Sequence, residues 1–161
     1  KRPDDNPPLY RLFGGIFGKA GEAEALAADF ARAHRRIAAL ASALPTRRVL
    51  YFIWKDPWMG VSRNTYIANT LALANWRVLG HREGSDYPQI VLTPALLAEA
   101  DLALFSTEPN AISEADLDEF AAAQDFPRAK VHLIDGEYTS WYGSRAIAGL
   151  DYLADFARAI P

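Results

Sequence analysis

The sequence has 161 residues and a mass of 17.8 kDa, the size of one domain or of one domain with an added arm. Half of the residues are hydrophobic and 23% are charged, which excludes a disordered tail or a disulfide-stapled miniprotein. The net charge of −3 gives no electrostatic case for binding nucleic acid or an anionic membrane, and the lack of cysteine excludes thiolate metal sites and cysteine nucleophiles.

Residues 1–19 are interpreted as a linker or arm. Residues 1–9 contain three prolines and mixed charges, a composition typical of a frayed segment. The apolar stretch from Tyr10 to Gly18 contains three glycines and predicts a short helix that ends near Gly18. Because the chain begins with Lys1 and shows no leader pattern, no signal peptide is expected in it, and we expect a processed or cut start.

Residues 20–45 predict one long helix. Apolar residues recur at alternating spacings of four and three from Leu26 to Leu44 and form a single stripe, and Pro45 ends the helix. A stripe of this length needs a large body to lie against. A short coiled coil is the alternative to packing on such a body.

Strands and helices alternate over residues 46–161. Apolar runs at 48–54, 101–106 and 130–135 are typical of strands buried on both faces, and a short strand is predicted at 77–79. Helices are predicted at 62–75, 93–98, 113–123 and 144–160, with a capping box formed by Ser113 and Asp116. This order predicts an α/β fold, in which the long N-terminal helix precedes a Rossmann-like three-layer lobe with a roughly four-stranded parallel sheet.

Large apolar side chains follow the predicted strands. Ligands of open α/β sheets bind outside the carboxyl ends of the strands, and Trp54, Trp58 and Trp141 fall there, with Met59 and Tyr142 beside them. Because loops are normally polar, this distribution predicts a binding surface for a flat or greasy ligand. The alternative is that these side chains pack on their own loops as a minor core.

Two arginines and no catalytic group accompany this aromatic edge. Arg63 and Arg145 stand at the starts of helices that follow the loops of interest, where each could pair with an anion or stay solvated. The three histidines have no partner at metal-ligand spacing, and Ser144 fits a helix N-cap better than a nucleophile. The sequence therefore predicts neither an enzyme nor a metal site, and no intrinsic cofactor.

Several of these segments resemble one family. Residues 49–59, followed by Thr65, Tyr66 and Ile67, look like the opening of the C-terminal lobe of the class III periplasmic substrate-binding proteins of ABC importers, which bind cobalamin or ferric siderophores. Residues 135–137 and 140–145 resemble the loop before the last helix of that lobe. Residues 20–44 resemble the rigid helix that joins the two lobes.

The resemblance covers the chain from about Tyr10 to its end. It implies that residues 20–45 are the inter-lobe helix, that residues 46–161 are the C-terminal ligand-binding lobe, and that the N-terminal lobe is absent from this chain. Without that lobe, the exposed stripe from Leu26 to Leu44 and the unpaired face of the cleft would favour a homodimer. It also implies that the protein binds a ligand without catalysing a reaction. The ligand would be a chelated metal, such as cobalamin or a ferric siderophore, which the protein delivers to the permease of an importer. The protein would be periplasmic, or tethered to the membrane outside the cytoplasm. A haem-binding member of the same family is an alternative.

The resemblance also implies roles for individual residues. Flat packing against the ligand would come from Trp54, Trp58, Met59, Trp141 and Tyr142, and contacts to its oxygens from Arg63 and Arg145. For the surface glutamate that docks on the permease, Glu137 and then Glu108 are the candidates. Two functions of other classes stay open: a protein-interaction module that uses the aromatic edge, and a Rossmann-like enzyme domain, which the bulky turn after the first strand disfavours.

Overall fold

The computed structural model describes residues 1–160, so that Pro161, the last residue of the predicted lobe, lies outside the described residues. The chain begins with a 3₁₀ turn at Pro3–Asp5 and continues into α1 (Asn6–Ile16). The prediction of a frayed segment at residues 1–9 is therefore wrong. Its prolines occupy the first turns of helices, where a missing N–H group removes no helical hydrogen bond, and the Asn6 side chain is fully buried.

The apolar stripe of the long helix is covered within the chain. This helix, α2 (Ala20–Ala41), packs against α1 and against the last helix, α7 (Arg145–Ala159). Phe30, Ala33 and Ile37 of the stripe are buried in these contacts. The stripe is therefore not a free surface, and it supports neither the expected homodimer nor the coiled coil.

Within residues 1–160 the sheet has four parallel strands and one short antiparallel strand. In chain order these are β1 (Arg47–Trp54), β2 (Met59–Gly60), β3 (Trp76–Val78), β4 (Leu102–Ser106) and β5 (Val131–Ile134). On one side β1 pairs with β4, which pairs with β5; on its other side β1 pairs with β3 near its start and with β2 near its end. The predicted parallel sheet is confirmed, and β2 is an addition to it.

Alternate residues of the strands belong to two apolar cores. Tyr51 and Leu104 face the core that includes α3 (Tyr66–Ala72) and α7, whereas Phe52 and Phe105 face the core that includes α4 (Pro94–Glu99) and α5 (Glu114–Ala123). Burial on both faces explains why the strands appear in the sequence as continuous apolar runs. The three-layer α/β fold is confirmed.

Helix starts differ from the predictions in detail. The capping box of Ser113 and Asp116 is confirmed at the start of α5. Helix α3 is shorter than predicted, because the Thr65 hydroxyl rather than Ser62 accepts the capping hydrogen bond, from the Ala68 N–H. Ser144 precedes α7 but makes no side-chain capping bond. A short unpredicted helix, α6 (Gly136–Ser140), follows β5 and is capped by Asp135.

Candidate ligand-binding site

A pocket of about 420 Å³ lies at the carboxyl edge of the sheet. Strand β1 ends beside it, β4 contributes its last residue, and the loop after β4, the loop after β3, α3 and α6 complete its wall. Its lining is apolar at Ile53, Ile67, Tyr87 and Pro109, and polar at Ser106, Glu108 and Ser140. The pocket occupies the position where open α/β sheets bind their ligands.

Trp141 is hydrogen-bonded to Glu108, which lines this pocket. The indole Nε1 of Trp141 donates a hydrogen bond of 2.6 Å to Glu108 Oε1. The Ser140 hydroxyl donates to the Gly136 carbonyl at 2.6 Å and lies 3.4 Å from the same Glu108 oxygen. About half of the Trp141 side chain is nevertheless exposed. Its ring is therefore fixed at one edge and open to solvent, as a stacking platform requires.

Arg145 lies next to Trp141 and is already paired. Its guanidinium forms an ion pair of 2.9 Å with Glu137, and its central carbon lies 5.6 Å from the ring centre of Tyr138 and 5.9 Å from that of Trp141. At these distances, cation–π attraction stabilises the guanidinium next to the two aromatic rings. Because both partners of the ion pair are about half exposed, an incoming anion can compete for Arg145.

Tyr142 is attached to the N-terminal part of the chain. Its ring lies 4.1 Å from that of Tyr66, centre to centre, and burial raises the pKa of both hydroxyls. The next residue, Gly143, donates its N–H to Asn6 Oδ1 at 2.8 Å and accepts a bond of 2.8 Å from the Tyr10 hydroxyl on its carbonyl. The N-terminal helix thus positions the loop that carries Trp141 and Tyr142.

The remaining predicted site residues are dispersed. Trp54 ends β1 and is 41% exposed, next to the pocket residue Ile53. Trp58 is partly buried and packs against the aromatic core, with its ring 5.2 Å from Phe52. Met59 belongs to β2, and Arg63 lines a different pocket beside β3. The structure therefore brings Arg145 to Trp141 and packs Tyr142 on Tyr66. It does not bring Trp58 or Arg63 to the pocket at the carboxyl edge.

Sequence reasoning missed several residues of this pocket. Tyr87 is a half-exposed aromatic residue in a polar loop, so the signal that found Trp141 could also have found it. Ile67 has the appearance of a helix core position, and Ser106 ends an apolar strand. Neither position carries a local pattern that distinguishes a pocket wall from an ordinary core.

A salt bridge holds the first loop of this edge. Lys55 binds Asp116 and Glu119 of α5, and its ammonium group keeps the pKa of Asp116 well below its usual range. Lys55 is thus already engaged and ties residues 55–60 to the helix. Over residues 1–160, no three acidic or histidine side chains gather into a metal-binding group, and no helix has the length and hydropathy needed to span a bilayer.

Comparison with known proteins identifies the fold. No protein-family model matches the sequence, and no curated protein matches it. Solved structures do match. The periplasmic vitamin B12-binding protein of Vibrio cholerae aligns with a TM-score of 0.76 at 12% identity, over 98% of this chain and 62% of that chain.

Two haem-binding structures give the same result. A periplasmic haem-binding protein from Roseiflexus aligns with a TM-score of 0.77 at 19% identity, over 99% of this chain and 63% of that one. One from Pseudomonas aeruginosa aligns with a TM-score of 0.72 at 22% identity, over 99% and 61%. The chain thus spans less than two thirds of each of these structures. Over the part that it spans, it has the fold of the class III periplasmic binding proteins, as the sequence resemblance predicted.

Proposed function

We propose that this chain is the ligand-capturing lobe, with its joining helix, of the substrate-binding component of an ABC importer, acting outside the cytoplasmic membrane. In this proposal residues 20–45 join the lobes and residues 46–161 form the C-terminal lobe. The ligand is a chelated metal, with cobalamin or a ferric siderophore as the first candidates and haem as the alternative. No chemical step is involved, and delivery to a permease completes the function.

The observation that carries this proposal is the apolar pocket at the carboxyl edge with exposed aromatic rings beside it. Trp141 and Tyr142 are each more than 40% exposed, although Trp141 donates a hydrogen bond to Glu108 and Tyr142 packs on the ring of Tyr66. Exposing such rings is unfavourable in water, and a flat chelate would cover them. Trp54, the last residue of β1, is also exposed, at 41%.

Delivery to a permease requires a docking group as well. The resemblance offers Glu137 and Glu108 as candidates for this group, and the two side chains have different neighbours. Glu108 lines the pocket and holds Trp141, whereas Glu137 pairs with Arg145 and is 42% exposed. We therefore retain Glu137 as the candidate for docking on a basic permease residue, which could take the place of Arg145 in the ion pair.

Tryptophan fluorescence during ligand titration tests the proposal. Cyanocobalamin, a set of ferric siderophores and haem are added separately, with correction for the light that each absorbs. We expect saturable quenching by one ligand class, and weaker binding of that ligand to the Trp141→Ala variant. Trp58→Phe serves as the matched control, since the partly buried Trp58 ring packs against the core.

Two outcomes would contradict the proposal. Flat titrations with every chelate would favour the alternative that the aromatic edge binds a protein partner. Quenching that Trp141→Ala leaves unchanged, together with loss of binding in Trp58→Phe, would place the ligand elsewhere on the chain.

A further inference from the structure

The pocket at the carboxyl edge has one charged residue in its described lining. Glu108 is that residue, and the others are apolar or carry hydroxyl groups. Its place is well defined, since its carbonyl accepts a 2.6 Å hydrogen bond from the Ser106 hydroxyl. The absence of a side chain at Gly136 leaves room for it: a Cβ atom there would lie 2.5 Å from Glu108 Cγ. The carboxylate is thus a built part of the pocket.

The hydrogen-bonding capacity of this carboxylate is only partly used. Oε1 accepts from Trp141, with the Ser140 hydroxyl 3.4 Å away, and within residues 1–160 no protein donor is bonded to Oε2. An ionised carboxylate accepts several hydrogen bonds and donates none. An incoming N–H group can therefore be bound at Glu108 without breaking the bond that holds Trp141.

The charge of Glu108 has no basic partner in the lining. Three basic residues near this edge are engaged in ion pairs with other carboxylates: Arg145 with Glu137, Lys55 with Asp116, and Lys1, which lies near Tyr87 and Tyr142, with Asp86. An apolar wall strengthens the field of a charge because it excludes water. The pocket therefore attracts donors and cations and opposes a second carboxylate.

We propose that this pocket binds an amide or ammonium N–H group of the ligand, and that the ligand is a chelate that carries such donors and no net negative charge. The inference rests on the proposed function and narrows its substrate class. Corrinoids with amide side chains and cationic hydroxamate siderophores satisfy it. Haem, with its carboxylates, and anionic catecholate siderophores do not.

The experiment compares four probes on the 161-residue chain by fluorescence titration. Cyanocobalamin and ferrioxamine B present N–H donors without net negative charge, and haem and ferric enterobactin are anionic. We expect one of the first two to bind at least about tenfold more tightly than either anion, since like charges in a site are strongly disfavoured. The two donor probes distinguish an amide from an ammonium ligand.

The Glu108→Gln variant tests whether this residue sets the preference. A glutamine oxygen can still accept from Trp141, so the ring stays in place while the charge is removed. We expect the ratio of anion affinity to donor affinity to rise about tenfold. Glu99→Gln is the control, since it removes the same charge from an exposed helix before β4, and it is expected to leave the ratio unchanged. Thermal unfolding of each variant verifies the fold.

The outcomes of these titrations distinguish a failure of the proposed function from a failure of the inferred ligand preference. If no chelate binds, the proposed function fails and this inference fails with it. If chelates bind but haem or ferric enterobactin binds as tightly as the donor probes, the function stands and the inference is overturned. An unchanged affinity ratio in a folded Glu108→Gln protein overturns the inference in the same way.

Discussion

The indole N–H of Trp141 donates to Glu108 Oε1 at 2.6 Å, and this bond joins the loop after β4 to the segment after α6. A charged acceptor makes such a bond stronger than one between neutral groups. The bond explains how a tryptophan that is half exposed can have a defined orientation. The orientation of the ring at the candidate site therefore depends on a residue from a different loop.

Trp141→Phe is expected to separate stacking from this hydrogen bond. A phenyl ring keeps a flat apolar face but cannot donate to Glu108, so we expect ligand affinity to fall about threefold, against about tenfold or more for Trp141→Ala. Ligand titration of both variants measures the difference. Equal losses in the two variants would mean that the hydrogen bond, rather than the face of the ring, matters for binding.

Trp58→Ala is expected to reduce stability rather than to act on the ligand alone. The Trp58 ring lies 5.2 Å from that of Phe52 and 5.5 Å from that of Phe105, so that truncation leaves a gap in the aromatic core. We expect a loss of about 3 kcal/mol in the free energy of unfolding. Urea unfolding measures it, and Trp54→Ala, at an exposed position, is expected to cost less than about 1 kcal/mol.

A side chain at position 136 is expected to disturb the pocket. In Gly136→Ala the new Cβ would collide with the Ser106 hydroxyl and with Glu108 Cγ. We expect a cost of about 1–3 kcal/mol in stability and a shift of the Trp141 emission maximum as its bond to Glu108 loosens. Gly15→Ala is the matched control, since nothing lies within 4 Å of its Cβ position and α1 gains helix propensity. Equal stability of the two variants would contradict this view of Gly136.

His132 is expected to make the protein less stable in mild acid. Burial, together with the charge of Arg128, lowers the pKa of this histidine in the folded state. The unfolded chain therefore takes up a proton first, near pH 6.5, and stability falls as the pH decreases from that value through the lower folded pKa. His132→Gln is expected to lose less stability between neutral pH and pH 5 than the parent protein does. Chemical unfolding across this pH range checks it, with the exposed His81→Gln as control.

The parallel sheet was predictable because burial on both faces leaves a signal in the local sequence. Leu50 and Tyr51 face different cores, and such positions give an uninterrupted apolar run. The aromatic character of the carboxyl edge was predictable for a similar reason, since Trp141 stands in a loop. Both conclusions needed only neighbouring residues and a general rule about sheets.

The side on which a loop residue packs was not predictable. Trp58 joins the core because Phe52 and Phe105, from separate strands, place their rings on the same face of the sheet. In the sequence, Pro7 and Pro8 favour a frayed segment. In the structure they lie in the first turn of α1, and the neighbouring Asn6 is buried. In each case the deciding contact joins residues that are far apart in sequence, and no local pattern reports it.

The hydrogen bonds that join Gly143 to Asn6 and Tyr10 have a practical consequence for shortened versions of this protein. Removing the first ten residues would delete no residue of the pocket, yet it would release the loop that carries Trp141 and Tyr142. A shortened version could then lose affinity while its sheet stayed intact. The residue at which an expressed version of this chain begins therefore affects the geometry of its candidate binding site.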